Sequence, residues 1–230
     1  MLIKKILLIF SVCLLFTILI VDARFRKPQE IKGISTAIPS PAPSPTQSLT
    51  KITLEKFYAP ILLYHHIADR KIQNSYYVSP KIFDEQMRWL KENGYHIISL
   101  DDLYEASLGK KGLPEKPAVI SFDDGVTDQF TNGLPILKKY GYTATFFIKL
   151  NNVGRGKGGL TWGQMKELLA ADMTIGSHSV NHDNMALMDL KTLDYELRES
   201  KYILEANLGI KIKYFSFPGG AYTQTTVKEV

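Results

Sequence analysis

AVISFDDG, residues 118–125, runs an apolar segment directly into two adjacent aspartates and a glycine. Strands buried on both faces read as continuous apolar runs, so Ala118-Val119-Ile120 is expected inside a covered sheet. Asp123 and Asp124 then stand at a strand end, where two like charges repel and Gly125 allows a tight turn. Taken alone, Asp-Asp-Gly is also what an ordinary turn or helix cap uses. The rest of the chain has to decide between these readings.

Similar short runs recur: ILLYHHI (61–67), HIISL (96–100), TATFFIK (143–149), TIGSHS (174–179) and KYFSF (213–217). Between them the apolar spacing turns helical. Ser79-Pro80 is a capping hydroxyl followed by proline at the first helical position, with Phe83, Met87 and Leu90 on one face and Asn93-Gly94 as the stop. Leu134, Leu137 and Tyr140 before Gly141 mark a second helix. Trp162, Met165, Leu168 and Leu169 mark a third, and Leu193, Leu197, Ile203 and Leu204 before Gly209 a fourth. Strand-helix alternation implies an α/β fold with a parallel sheet covered by helices. No GxGxxG follows the first strand, and reactive polar residues end several different strands, which favours a (β/α) barrel with its site at the strand C-termini. TQTTVKEV (223–230) begins a helix without a stop signal, so the barrel is expected to be incomplete at the C-terminus.

The chain has 230 residues and a formal charge of +5. Its lysines are scattered without basic blocks, which argues against a nucleic-acid partner and is compatible with an anionic surface such as a membrane or cell wall. Lys4 and Lys5 precede an unbroken apolar stretch from Ile6 to Val21, the pattern of an export signal or anchor over residues 1–26. Residues 27–56, rich in Pro, Ser and Thr, read as an extended spacer. The globular domain is expected over 57–230. Cys13, the only cysteine, falls in the apolar stretch, so that domain has no disulfide. An extracytoplasmic location follows, with membrane attachment where the N-terminal segment is uncleaved.

HSVNH, His178 to His182, begins at another strand end. Two histidines four apart and a carboxylate from a neighbouring strand make a donor set for a catalytic divalent metal. A metal also resolves the repulsion in SFDDG: one aspartate neutralises the cation and the other, held off it, accepts a proton from water. FSFPGGAY (215–222) either turns the chain or exposes a backbone N–H to a developing oxyanion. In YHHI, side-chain alternation lets only one of His65 and His66 face the site, and that one is a candidate general acid.

SFDDG, HSVNH and FPGG, in that order, resemble the polysaccharide deacetylases, the NodB-like carbohydrate esterase family 4, over about residues 60–230. The resemblance implies a distorted barrel of parallel strands and removal of N-acetyl groups from polymers of N-acetylglucosamine. It implies that Asp123 is the catalytic base and that Asp124, His178 and His182 hold zinc or a similar ion. Many members carry arginine two residues before the proline of the third motif. Here Ser216 stands there and Gly219 takes an aromatic's place, so the usual tether of the base is missing while the Gly219 N–H remains for the oxyanion. The late motifs that supply a histidine acid have no counterpart before Val230. ILLYHHI resembles the subgroup containing poly-N-acetylglucosamine deacetylases, in which a first-strand histidine takes that role; this implies His65 as the acid, with His66 in reserve.

Two other classes fit parts of the pattern. Two histidines and a carboxylate also make the triad of non-haem iron oxygenases. A non-catalytic glycan-binding module on a stalk would explain the absent arginine and late motifs.

Overall fold

The run at Ala118 forms the centre of a parallel sheet. The computed structural model describes residues 58–70, 74–154 and 158–230, so the expected export segment (1–26) and spacer (27–56) lie outside the described residues. Strand β1 is Ile61–Tyr64, β2 His66–Ile67, β3 Tyr77–Val78, β4 His96–Ile97, β5 Pro117–Phe122, β6 Thr145–Ile148 and β7 Thr174–Ser177. The main sheet runs β1-β5-β6-β7, with β4 pairing the first two residues of β5. All of these pairs are parallel, with Tyr64 opposite Phe122, Phe122 opposite Phe146 and Phe146 opposite Ile175. That register brings the C-terminal ends of β1, β5, β6 and β7 to one edge, where the polar motifs begin. Among the described residues the sheet is open, since β1 and β7 do not pair.

The helices form where their signals lie. Helix α1 (Pro80–Glu92) starts at Ser79, whose Oγ accepts the Ile82 N–H, and buries Phe83, Met87 and Leu90. Helix α2 (Leu100–Ser107) has too short an apolar pattern to stand out in the sequence, yet Ser99 and Asp102 close a capping box around its first turn. Helix α3 (Leu134–Tyr140) ends at left-handed Gly141, and α4 (Trp162–Ala170) starts with the Thr161/Gln164 capping box. Helix α5 (Leu190–Leu208) ends at Gly209, and α6 is Gln224–Glu229. Phe83, Phe122 and Phe146 are fully buried between sheet and helices. The Phe122 and Phe146 rings stack at 4.7 Å, and each buried phenylalanine contributes roughly 1.5–3 kcal/mol.

Two runs depart from the expected strands. ILLYHHI divides at His65, because β5 turns away after Phe122; the last ladder bond runs from the Asp123 N–H to the Tyr64 carbonyl. His66 and Ile67 then pair with Tyr77 and Val78 in a separate two-stranded sheet. KYFSF contributes only a bridge between Phe215 and Ser177. Phe215 and Phe217 instead pack on Met185, Leu193 and Leu197, and Pro218 has no N–H with which to continue a ladder.

Gly125 sits at φ +61, and a Cβ there would lie 3.0 Å from Ile148 Cδ1 and 3.4 Å from its Cα. Gly141 has φ +69 but open space around its Cβ position. Gly141→Ala is therefore expected to destabilise by about 1–2 kcal/mol, from the left-handed backbone alone. Gly125→Ala should lose a further ~1–3 kcal/mol through overpacking against β6. Urea-denaturation midpoints of the two variants check this; equal losses would show that Ile148 yields.

Candidate active site

Asp123 and Asp124 leave the end of β5 on a backbone that twists sharply, with Asp124 at φ +74. Across β6, His178 leaves β7 and the following loop carries Ser179 at φ +63 and His182 at φ +68. Left-handed conformations at non-glycine residues cost about 1–2 kcal/mol each and persist only where the surroundings enforce them. Here they are enforced by hydrogen bonds. The Gly125 carbonyl accepts the Leu160 N–H and the Asp124 carbonyl the Asn152 amide. Ser179 Oγ accepts the His182 N–H at 3.0 Å. Glu196, 1% exposed on α5, accepts the Val180 and Asn181 N–H groups, both at 2.9 Å, and the Asn181 side-chain amide at 2.6 Å.

The structure brings Asp124, His178 and His182 together, each with one ligand atom, all within 4.8 Å of one another. His182 Nε2 lies 3.5 Å and His178 Nε2 3.9 Å from Asp124 Oδ1. These separations are long for hydrogen bonds, whereas donors bound about 2.0–2.2 Å from one tetrahedral centre stand ~3.4 Å apart. The His178 ring is set by its Nδ1–H, which donates to the Ser216 carbonyl at 2.8 Å, leaving the Nε2 lone pair toward the aspartates. A backbone carbonyl that fixes a ring in this way is the usual support of a metal-ligating histidine. Burial holds both histidines below the ordinary imidazole range, which keeps their lone pairs available. One carboxylate and two neutral imidazoles at this spacing fit a divalent ion.

Asp123 is held differently. It is 5% exposed; Oδ2 accepts from Ser216 Oγ at 3.1 Å, and Oδ1 is buried without a hydrogen-bond partner among the described residues. Burial raises its pKa to about 6, against the opposing pull of His65 and of the Ser216 hydrogen bond; the neighbouring Asp124 charge adds to the rise. A carboxylate poised near neutrality beside a metal-ligand set has the character of a general base.

The arginine is absent, as expected from Ser216 at its position, and the Ser216 hydroxyl bonds Asp123 in its place, because the Ser216 N–H donates to the Ser177 carbonyl of β7. That bond brings a short hydroxyl within reach of Asp123, and a long arginine is not needed. Gly219, the expected oxyanion donor, lies exposed in the Pro218–Gly220 turn at φ +60 with open space beside it. The link from this segment to the aspartates runs through Ser216.

His65 and His66 have different partners. His65 is half-buried, its ring edge-on to Tyr76 at 4.8 Å. Burial lowers its pKa while the charges of Asp123 and Asp124 work the other way. His66 is engaged elsewhere: its Nδ1 lies 2.7 Å from Asp128 Oδ2 and its ring stacks on Tyr77 at 4.2 Å.

A turn of π-helix, Gln129–Gly133, precedes α3 and lines up three side chains against this strand end. Asp128 also accepts the Ile67 N–H, and the Asn132 amide donates to the Ile67 carbonyl. The Gln129 amide donates to the carbonyls of both His65 and Asp123. Sequence reading missed Gln129 and Glu196. Glu196 was visible as a charge on the stripe of Leu193 and Leu197; Gln129 had no comparable signal, because π turns carry no distinctive pattern.

With this geometry, four likenesses agree. A family model described as polysaccharide deacetylase matches residues 110–230. A Bacillus subtilis protein named as a polysaccharide deacetylase is 34% identical over 169 residues, 74% of this chain and 59% of that protein, so the chain spans under two thirds of this relative. A poly-beta-1,6-N-acetyl-D-glucosamine N-deacetylase of Staphylococcus aureus is 37% identical over 93 residues, 40% of this chain and 31% of that one. Among solved structures, the Streptococcus pyogenes deacetylase PplD, in complex with acetate, superposes with a TM-score of 0.70 at 30% identity, covering 74% of this chain and 78% of its own.

Proposed function

Because the chain belongs to the polysaccharide deacetylase family, we propose that it hydrolyses the acetamide groups of an N-acetylglucosamine polymer at the cell surface. A β-1,6-linked poly-N-acetylglucosamine is the first choice of substrate, ahead of peptidoglycan or chitin-like chains. The observation that carries the reading is the placement of Asp123, buried and poised, beside the separate donor set of Asp124, His178 and His182. The likeness to the Staphylococcus aureus relative and the histidine that follows β1 support the choice of polymer.

Asp124, His178 and His182 would hold the ion, zinc first. Bound there, it supplies a Lewis acid for the acetyl carbonyl and lowers the pKa of a water. Asp123 takes a proton from the attacking water, its orientation fixed by Ser216. The approachable Gly219 N–H is offered to the oxyanion. His65 gives its proton to the nitrogen as the C–N bond breaks, so a free amine and acetate result. Burial, which lowers its pKa, makes the imidazolium a stronger donor, and the charges of the two aspartates oppose that lowering.

The iron-oxygenase reading loses its ground in a parallel α/β fold. Export and attachment through residues 1–26 complete the proposal; they rest on Lys4, Lys5 and the Ile6–Val21 stretch. No helix among the described residues is long and apolar enough to cross a membrane.

The test is acetate release from poly-N-acetylglucosamine oligomers before and after chelation. Release is expected to disappear with the metal and to return on adding zinc. Undiminished release from metal-free protein would end the metal reading, and glycan binding without any release would favour a binding module.

A further inference from the structure

We infer that Glu196 is a positioning residue that sets the metal affinity of the site by holding the Ser179–His182 loop in its ligating shape. The inference rests on the metal reading above. Glu196 touches no ligand atom of the cluster. It lies on the buried face of α5 between Leu193 and Leu197, a position that packing alone would fill with an apolar side chain. A carboxylate is costly to bury unless it is well hydrogen-bonded, and here three donors reach it: the N–H groups of Val180 and Asn181 on Oε2 and the Asn181 amide on Oε1. All three donors belong to the two residues between Ser179 and His182.

The loop has reason to need such a hold. Both of its ends are left-handed at residues with a Cβ, and Asn181 is exposed, so little packing constrains its middle. With the Val180 and Asn181 N–H groups captured by Glu196 and the His182 N–H by Ser179, three consecutive amides are fixed. The backbone that carries His182 is thereby held in place. The Asn181 carbonyl oxygen of the side chain also accepts from the Asn151 amide at 3.0 Å, which ties the same residue back to the loop after β6. Helix α5 thus reaches the ligand set through two peptide groups, much as a supporting carboxylate does behind other metal ligands.

Zinc affinity of the full chain, measured by competition with a chromophoric chelator, tests this. Glu196→Gln keeps the shape but loses the charge that strengthens the two backbone bonds. It is expected to weaken zinc binding about 10–100-fold. Leu204→Ala, on the same helix and fully buried, should lower the melting temperature in the presence of chelator without changing zinc affinity. If Glu196→Gln folds too poorly to assay, Asn181→Ala at its exposed position removes one of the three bonds and should weaken zinc binding by a smaller factor. Affinity within twofold of wild type in the assayed variant would overturn the inference, as would an equal loss in Leu204→Ala. A wild-type chain that takes up no zinc would instead overturn the metal reading itself.

Discussion

Asp123→Asn is expected to cut acetate release by about 10²–10⁴-fold while leaving zinc uptake unchanged. The substitution is nearly isosteric, and an asparagine carbonyl can still accept from Ser216 Oγ, so neither fold nor loop position should shift. What it removes is the capacity to take a proton. The unpaired, buried Oδ1 makes this the one carboxylate of the site with an open lone pair and no share in the donor cluster. Measuring zinc content and kcat on the same preparation separates the two possible roles. Parallel loss of zinc and turnover would move Asp123 from the proton-transfer step to the ligand set.

His65→Ala is expected to reduce kcat by about 10²-fold or more at unchanged zinc content, since proton delivery to a poor leaving amine depends on a placed acid. His66→Ala should act on stability instead, because His66 is bonded to Asp128 and stacked on Tyr77. The assignment follows from which imidazole shares its electrostatic surroundings with Asp123, Asp124 and His178. An active His65→Ala beside an inactive His66→Ala would reverse it, and would imply that the Asp128–His66 pair turns toward the substrate. Because the chain spans only 59% of its Bacillus subtilis relative, the pair of variants also asks whether the described residues contain the working acid.

Much of this was legible in the sequence, for identifiable reasons. The βα alternation showed because buried parallel strands leave uninterrupted apolar runs, and four helices showed because Ser79, Gly141, Gly209 and their apolar faces mark starts and stops locally. That an aspartate of SFDDG would meet His178 and His182 was readable because both motifs follow strands in a fold that gathers strand ends; the family resemblance, not the spacing, singled out Asp124. What escaped notice depends on contacts between distant residues. The arginine's absence looked like a missing function, since only the bridge between Phe215 and Ser177 reveals that Ser216 stands next to Asp123. The division of ILLYHHI was hidden for a similar cause: the run is strand-like throughout, and the break comes from where β5 ends.

The π turn at Gln129–Gly133 bears on how this region can change over time. Asp128, Gln129 and Asn132 meet the His65–Ile67 segment, while Leu134 and Leu137, in the helix continuous with them, are buried in the core. Deleting one residue between the two groups would restore an ordinary helix and rotate one set against the other by about 100°. Either the core would lose its leucines or His65 would lose its support. Exposed Thr131 can vary in identity, but the number of residues from Asp128 to Leu134 is constrained, so drift here should proceed by substitution and not by insertion or deletion.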